Sequence, residues 1–342
     1  MDIGIVVIGR NEGERLRRCL VSVIGQGRRI VYVDSGSADG SVALARSLGV
    51  DVIQLDPSRP FAAGTARNAG LKWLLQQAPD VEFVQFVDGD CELSPGWIHR
   101  GGTLLRQDPS RAAVCGGLRE RHPEASIYNY LCQIEWDRPA GEVKACGGVA
   151  MMRVLALLQV DGFREGLVAG EEPELCFRLR QGGWRIWRDD AEMALHDANM
   201  TRFSQWWRRA VRSGYAYAEG ARLHGSSPER YNLRQVISVV VWGALLPLLA
   251  VAGAFFTRGL SLLALAAYLW LAVRIARRDR PRCRSAGGAW VHACFTVLAK
   301  LAQAVGIGRF VIRRLLGGRQ QLIEYKGAEV GTHPACRARA EP

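Results

Sequence analysis

The sequence lacks the paired cysteines that bind structural zinc or crosslink small secreted domains. Its nine cysteines are scattered along 342 residues, and none stands in a C-x-x-C pair, so we expect no zinc site. An odd number of cysteines without a pairing pattern favours reduced thiols facing a cytosol. The beginning of the chain also lacks a basic segment followed by a long apolar one, so we expect no signal peptide.

The first 273 residues have almost no net charge. They contain 31 Lys and Arg against 29 Asp and Glu, whereas residues 274–342 contain 14 against 4. The overall charge of +12 therefore belongs mostly to the C-terminal part. A nucleic-acid-binding protein would carry its cations on the folded domain, so we expect no nucleic-acid partner. A basic segment beside apolar helices instead predicts membrane lipids as partners.

Charge is absent altogether from Val236–Thr257, a 22-residue segment that is long enough to cross a bilayer core of about 30 Å. A second apolar segment, Gly259–Val273, follows after a single arginine. The two segments predict a transmembrane hairpin over residues 234–276. Residues 286–326 mix apolar and basic side chains and are expected to lie in the interface as an amphipathic segment. Residues 327–342 are expected to be a disordered tail.

Arginines flank the predicted hairpin on both sides. Seven lie in residues 202–234 and six in residues 274–284, whereas the turn between the two apolar segments has one. Because basic residues collect on the cytoplasmic side, both ends of the hairpin are expected there. This arrangement places the N-terminal domain in the cytoplasm, at the face of a cell (inner) membrane.

Strand and helix patterns alternate over the first 88 residues. The continuous apolar runs are typical of parallel strands buried on both faces, and segments with helical spacing separate them. The predicted strands are 3–8, 30–33, 50–55 and 81–87. The alternation predicts an α/β domain over residues 1–233, with ligands at the carboxyl ends of the strands.

Two aspartates one residue apart follow the fourth predicted strand. Asp88 and Asp90 place carboxylate oxygens on one loop, and Mg²⁺ and Mn²⁺ prefer such ligands, usually together with substrate phosphates. Two turn-forming aspartates around a glycine are the structural alternative. Asp34, at the matching end of the second strand, favours the metal site. The pattern suits Mg²⁺ and Mn²⁺ equally.

Five segments between residues 5 and 175 resemble, in the same order, the motifs of the family 2 glycosyltransferases. The segments are I-V-V-I-G-R-N-E at 5–12, V-D-S-G-S-A-D-G at 33–40, A-R-N-A-G-L at 66–71, D-G-D at 88–90 and G-E-E-P-E-L at 170–175. The combination is far more specific than any one segment. The resemblance implies the GT-A fold, a Rossmann-like mixed sheet that binds nucleotide-diphospho-sugars.

The resemblance also implies where a donor nucleotide would bind. Asp34 would hydrogen-bond the base or ribose side of the donor. Asn11 and Glu12, in the turn after the first strand, belong to the same donor-binding set. Arg67 and Asn68 would lie near the nucleotide.

A metal ion, Mg²⁺ or Mn²⁺, is implied at the aspartate pair. Asp90 would hold it, with Asp88 near the ribose or the metal. His196 follows the acidic motif at a spacing that resembles the family's metal-binding histidine. A loop histidine hydrogen-bonded near Asp197 is the alternative.

Glu172 is the candidate catalytic base, because a carboxylate can take the acceptor proton in a one-step inverting displacement. The family usually has Asp at this position, and the longer side chain requires a more distant backbone. Glu171 could be the base instead, or the acceptor could need none, since a polyprenyl phosphate is already largely ionised. An acid-rich helix N-terminus without a catalytic role is the structural alternative.

The sequence as a whole predicts a metal-dependent inverting glycosyltransferase at the cytoplasmic membrane face. It would move one sugar from a nucleotide-diphospho-sugar to a lipid-linked or glycan acceptor, because one hairpin is too little to line a polymer channel. A polyprenyl-phosphate glycosyltransferase is the first alternative. A non-catalytic scaffold of this fold in a polysaccharide assembly complex is the second. A nucleotidyltransferase is disfavoured, since the first strand is not followed by a Gly-rich basic loop.

Overall fold

The computed structural model describes residues 2–56, 62–283 and 285–317. The predicted tail, 327–342, and the last part of the predicted interfacial segment, 318–326, lie outside these residues. The described chain forms an α/β domain followed by apolar helices.

The N-terminal half of the domain follows the predicted alternation of strands and helices. The strands are β1 (Ile3–Gly9), β2 (Arg29–Asp34), β3 (Asp51–Gln54) and β4 (Phe83–Asp88). The helices between them are α1 (Glu14–Val23), α2 (Ser41–Ser47) and α3 (Ala63–Gln77). Residues 3–8 of β1 are all buried, as the continuous apolar run predicts for a strand covered on both faces.

The second half of the domain is built from shorter and less regular elements. Its strands are β5 (Cys91–Leu93), β6 (Arg111–Glu120), β7 (Gly141–Glu142), β8 (Ala150–Arg153) and β9 (Arg185–His196). Its helices are α4 (Trp97–Gln107), α5 (Ile127–Trp136), α6 (Val154–Gln159), α7 (Glu171–Gln181) and α8 (Phe203–His224). The alternation that predicts the first half does not extend into this region.

One mixed sheet joins the two halves. Its strand order is β3-β2-β1-β4-β8-β6-β9-β5, with β7 paired to β9. The strands β1 to β4 are parallel to one another, whereas β8 is antiparallel to both β4 and β6, and β5 is antiparallel to β9. The carboxyl ends of β2 and β4 therefore lie on either side of β1 at one edge of the sheet, where ligands are expected.

Three helical stretches in the described part of the chain are long and apolar enough to cross a membrane. They are Leu233–Phe256, Leu260–Arg282 and Ala286–Leu316. The first stretch comprises α9 (Leu233–Val240), a π-helical turn and α10 (Leu246–Phe256). The second comprises a 3₁₀ segment, α11 (Ala267–Asp279) and a 3₁₀ turn. The third stretch is the single helix α12 (Ala286–Leu316). Phe255 and Phe256 are more than 80% exposed, an exposure that suits lipid contact.

Helix α12 packs lengthwise against α8 of the α/β domain. Gly214 and Gly306 lie at the contact. A Cβ on Gly214 would come within 2.0 Å of the Gln303 carbonyl oxygen, and one on Gly306 within 2.1 Å of the Val211 carbonyl oxygen. Small residues permit such close approach of helix backbones. The C-terminal helices are thus docked directly onto the domain, and whether α12 crosses the membrane or lies at its surface stays a prediction.

Candidate active site

The second aspartate of the Asp88–Asp90 loop meets His196 through the pairing of two strands. Strand β5 begins directly after the loop and runs antiparallel to the end of β9, with Cys91 opposite His196. This register brings Asp90 Oδ2 to 3.3 Å from His196 Nε2. Asp90 is buried. Two groups that are 106 positions apart in the sequence therefore share one corner of the sheet.

A buried glutamate lies on the other side of His196. Strand β6 runs parallel to β9 with Glu120 opposite His196, and Glu120 Oε2 is 3.5 Å from His196 Nδ1. The backbone N–H of Ala198 and the amide of Asn129 donate to the Glu120 carboxylate. Carboxylates in this position fix the tautomer and the ring orientation of metal-binding histidines. Sequence reasoning missed Glu120, because only the strand register reveals it.

The donor atoms at this corner fit a divalent cation. One ligand atom each from Asp90, Cys91 and His196 lies within 4.8 Å of the others. Burial raises the pKa of the Cys91 thiol well above its ordinary value, and a thiol is a softer ligand than Mg²⁺ or Mn²⁺ prefers. The remaining carboxylate oxygen and imidazole nitrogen suit Mg²⁺ or Mn²⁺.

Arg67 joins the first aspartate to the acidic motif. It is 2% exposed, and its guanidinium donates to Asp88 Oδ1 at 2.8 Å and to Glu171 Oε1 at 2.9 Å. Burial lowers the pKa of Arg67, but Asp88 and Glu171 outweigh it and hold that pKa above its ordinary value. Arg67 therefore fixes the positions of two carboxylates that come from β4 and from the start of α7.

Asp88 and His196 open onto a cavity of about 270 Å³, called here the Asp88–His196 cavity. Gly147, Gly148, Trp136 and Arg188 also line it. Its Trp136 ring packs edge-on against His196, with 4.5 Å between ring centroids. Sequence reasoning missed Trp136 and Arg188 as parts of the site.

Gly148 has no room for a side chain. A Cβ at this position would lie 2.5 Å from Asp88 Oδ2 and 2.7 Å from an Arg67 guanidinium nitrogen. The backbone of the loop before β8 therefore passes directly over the Arg67–Asp88 ion pair.

Asp34 is completely buried and its carboxylate is used within its own loop. The Tyr32 hydroxyl donates to Oδ1, and the backbone N–H groups of Gly36 and Ser37 donate to Oδ2. Burial and the nearby Asp34 charge raise the pKa of the Tyr32 phenol, so it stays a donor. The structure thus assigns Asp34 a loop-forming role, and its contact with a nucleotide stays a prediction.

The turn after β1 is tied to the same loop. Asn11 Oδ1 accepts the backbone N–H of Ala38, and the backbone N–H of Asn11 donates to Ser37 Oγ. Glu12 is nearly buried and pairs with Arg15 at 2.8 Å. The two loops at the carboxyl ends of β1 and β2 therefore form one hydrogen-bonded unit.

Asn68 lies on α3 next to Arg67 but faces another loop. Its side-chain amide exchanges two hydrogen bonds with the backbone of Phe163, and it also donates to Glu165. These contacts fix the loop that leads to α7. A direct contact of Asn68 with a nucleotide stays a prediction.

Glu172 is 5% exposed and is not among the residues that line the Asp88–His196 cavity, although its partner Cys146 is. Its Oε1 accepts the Cys146 backbone N–H at 2.6 Å and the Cys146 and Cys176 thiols at 3.2 and 3.0 Å. The contact with Cys176 and burial raise the pKa of Cys146, and the pKa of Cys176 is also raised, so both thiols remain protonated donors. Neither predicted base, Glu171 or Glu172, lines this cavity.

The segment Gln205–Arg209 caps and docks a helix. The Gln205 side chain accepts the backbone N–H groups of Thr201 and Arg202 at the start of α8. Trp206 is buried against Phe295 of α12, with 5.0 Å between ring centroids. These contacts account for the tryptophan in this basic, aromatic segment.

Comparison with known proteins gives the fold first. The mannosyltransferase PcManGT from Pyrobaculum calidifontis, solved in complex with GDP-Man and Mn²⁺, matches with a TM-score of 0.60 and 19% identity. The match covers 91% of this chain and 87% of that one. The α/β domain therefore has the GT-A fold predicted from the sequence.

Comparison of the amino-acid sequence with known families and proteins points to one family of enzymes. Residues 4–142 match the family model described as Glycosyl transferase family 2. A Pre-mycofactocin glycosyltransferase of Mycobacterium tuberculosis (strain ATCC 25618 / H37Rv) is 28% identical over 239 residues, which cover 65% of this chain and 48% of the relative. The chain spans about half the length of the curated relatives that it matches first. Residues 4–142 of the α/β domain are therefore similar to the glycosyl transferase family 2.

Proposed function

We propose that the protein is a metal-dependent inverting glycosyltransferase. It moves one sugar from a nucleotide-diphospho-sugar to a lipid-linked or glycan acceptor at the cytoplasmic face of a membrane. The observation that carries this proposal is the corner where Asp90 lies 3.3 Å from His196 and next to the cavity lined by Asp88. The match of residues 4–142 to the glycosyl transferase family 2 model and the GDP-Man and Mn²⁺ held by the structural neighbour support the same reaction class.

Asp90 and His196 would hold Mg²⁺ or Mn²⁺ in this enzyme. When bound, the metal neutralises charge on the departing diphosphate. The Glu120 carboxylate lies 3.5 Å from His196 Nδ1 on the side away from Asp90, and Arg67 hydrogen-bonds Asp88 at the rim of the cavity. Because Gly148 has no side chain, its backbone passes close to that ion pair without displacing it.

The proposed location rests on the C-terminal helices. Two apolar stretches follow the domain, and arginines flank both ends of the pair. By the preference of basic residues for the cytoplasmic side, the active site would face the cytoplasm. One hairpin and one docked helix, α12, suit the transfer of a single sugar better than polymer export. We retain the proposal that α12 lies at the interface, and its packing against α8 supports this.

A donor screen tests the proposal. Detergent-solubilised full-length protein is incubated with nucleotide-diphospho-sugars and Mn²⁺ or Mg²⁺, and released nucleoside diphosphate is measured with and without EDTA and native membrane lipid. We expect release with one donor, stimulation by lipid and loss in EDTA. Binding of a donor without turnover on any extracted lipid would instead favour the non-catalytic scaffold.

A pair of matched variants distinguishes the loss of a proposed metal ligand from the loss of any acidic side chain. Asp90→Asn removes a proposed ligand, whereas Asp190→Asn removes an exposed carboxylate that pairs only with Arg100 among the contacts described. We expect the first to lose transfer and the second to keep it. Full activity of Asp90→Asn would refute the metal-dependent reaction.

A further inference from the structure

A strongly basic cavity lies between the α/β domain and the apolar helices, beside the contact of α12 with α8. It has a volume of about 560 Å³ and lies between α5, α8, the end of α11 and α12. We call it the basic cavity. Its walls include the five basic side chains Arg138, Arg209, Arg278, Arg282 and Lys300.

Only two carboxylates face these cations in the basic cavity. Glu135 Oε2 pairs with Arg209 at 2.8 Å, and Asp279 pairs with Arg278 at 2.7 Å. Asp279 also lies 3.4 Å from His292 Nδ1. Five basic groups against two acidic ones leave an excess of three positive charges without counting the histidine. Such an excess in a concave site favours an anion with two or more charges.

The basic cavity adjoins the active site on one side. It shares Glu135, Arg138 and Arg209 with the Asp88–His196 cavity, so these three side chains form a common wall. An anion held by Arg138 and Arg209 would therefore lie beside the proposed metal corner. An acceptor bound there would be next to a donor held at that corner.

On its other side the basic cavity adjoins an apolar one. It shares Arg278, Thr296 and Lys300 with a cavity of about 660 Å³, called here the apolar cavity. Trp242 and Trp270 stack at 6.3 Å there, and Leu271 and Ile275 complete its apolar walls. All four residues belong to stretches that are apolar enough to cross a membrane. A hydrocarbon chain would find a nonpolar surface there.

We propose that the basic cavity binds the phosphate head of a lipid phosphate monoester, which is the sugar acceptor. Its hydrocarbon chain lies along the apolar cavity. This inference rests on the proposed glycosyltransferase function and names the acceptor class of that site. The succession of metal corner, cationic cavity and apolar cavity matches a donor, a phosphate and a lipid tail in that order.

The chemistry of this acceptor is consistent with the position of Glu172. A phosphate oxygen forms a bond to the anomeric carbon while the bond from that carbon to the diphosphate oxygen breaks, and its electron pair leaves with the nucleoside diphosphate. A phosphate monoester has a second pKa of about 6, so its attacking oxygen has no proton to lose at pH 7. Glu172, buried among Cys146 and Cys176, is then not required as a base.

The first test uses full-length protein in lipid nanodiscs that contain either undecaprenyl phosphate or only phosphatidylcholine. Nucleoside diphosphate release and sugar-lipid product are measured with the donor found in the screen. We expect undecaprenyl phosphate to raise release at least tenfold and to appear as sugar phosphate lipid. Inorganic phosphate at the same concentration should not replace it, because it lacks the chain.

Variants then locate the site. Lys300→Glu and Arg282→Glu should each raise the KM for undecaprenyl phosphate about tenfold or more, and Lys300→Arg should retain a KM near that of the parent. Arg17→Glu is the matched control, since Arg17 is exposed on α1 and pairs with Glu14 of the same helix. Glu172→Gln should lower transfer to the phosphate lipid by less than tenfold.

The outcomes separate this inference from the proposed function. Donor turnover that a phosphate-free lipid glycan stimulates, but undecaprenyl phosphate does not, overturns the lipid phosphate acceptor and leaves the glycosyltransferase intact. An unchanged KM for undecaprenyl phosphate in both charge-reversal variants overturns the basic cavity as its site. A folded protein that binds no nucleotide sugar overturns the proposed function itself.

Discussion

Asp34 and Asp90 lie at the same edge of the sheet, but their partners come from very different places in the sequence. Asp34 follows β2, and its three donors are within three residues of it. Asp90 follows β4, and it meets His196 across a strand pair formed by distant segments. The comparison indicates that the first carboxylate builds a loop. The second belongs to a site that exists only once the whole sheet has formed.

The same contrast separates the two halves of the sheet. The parallel strands β1 to β4 are consecutive in the chain and are joined by helices. The strands around His196 pair out of order, with β9 between β6 and β5. The local half supplies a rigid edge, and the long-range half adds the histidine, Glu120 and the cavity walls. The four predictions below test this division, from the largest expected effect to the smallest.

Removing the long-range partner should have the largest effect. His196→Ala takes away a proposed metal ligand while Asp34 and its loop are untouched. We expect transfer to fall on the order of 10³-fold, because the metal contributes several kcal/mol of charge stabilisation. Initial rates over a range of Mn²⁺ concentrations measure this. Transfer that is normal at low Mn²⁺ would show that His196 has only a structural role in β9.

The second-largest effect is expected from filling the space above the Arg67–Asp88 ion pair. The Cβ introduced by Gly148→Ala would come within 2.5 Å of Asp88 Oδ2, so the carboxylate or the loop must move. We expect transfer to fall about 10²-fold, as displacements near 1 Å can cost that much. Gly308→Ala is the control, since nothing lies within 4 Å of its Cβ position. Equal activity of both variants would contradict the expected crowding at the cavity.

Removing the charge of the Glu120 carboxylate next to His196 should have an intermediate effect on metal binding. Glu120→Gln keeps the shape of the side chain but removes the charge that lies 3.5 Å from His196 Nδ1. We expect Mn²⁺ affinity to fall about 10- to 100-fold, which is typical for partners of metal-binding histidines. Isothermal titration with Mn²⁺ provides the measurement. A loss of folding without a change in metal affinity would assign Glu120 a purely structural role.

Changing the locally paired carboxylate should mainly affect stability. Asp34→Asn leaves one oxygen to accept from three donors, and its amide faces backbone N–H groups. We expect the free energy of unfolding to fall by about 1–3 kcal/mol, the cost of unsatisfied buried donors. Urea denaturation of the purified protein measures it. Unchanged stability with a lost donor affinity would instead support direct nucleotide binding by Asp34.

Much of the first half could be predicted because its signals are local. Apolar runs end at Asp34 and Asp88, and the motif at 66–71 placed Arg67 on a helix between strands. Asp90 was predicted as a metal ligand from the spacing of the aspartates and from family resemblance, whereas His196 was predicted from resemblance alone. Their distance of 3.3 Å depends on the register of β5 against β9, which no run of residues indicates.

Other features were beyond reach of the sequence for the same reason. In the sequence, nothing distinguishes Glu120 from other acidic residues. Only the pairing of β6 with β9 brings it opposite His196. The acidic motif predicted Glu171 and Glu172 in catalysis, whereas the structure pairs Glu171 with Arg67 and buries Glu172 under Cys146. Which way a side chain at a helix N-terminus points depends on the elements packed against it.

The sequence by itself determined the α/β domain, the aspartate loop and the apolar helices, because hydrophobic period and run length act over neighbouring residues. Only the tertiary structure decided which basic residues lie together around one cavity. Arg138 follows α5, Arg209 belongs to α8, and Lys300 belongs to α12. Docking of α12 onto α8 brings these cations around one cavity beside Asp88 and His196. Electrostatic attraction for an anionic acceptor depends on that proximity in space, which spacing along the chain does not encode.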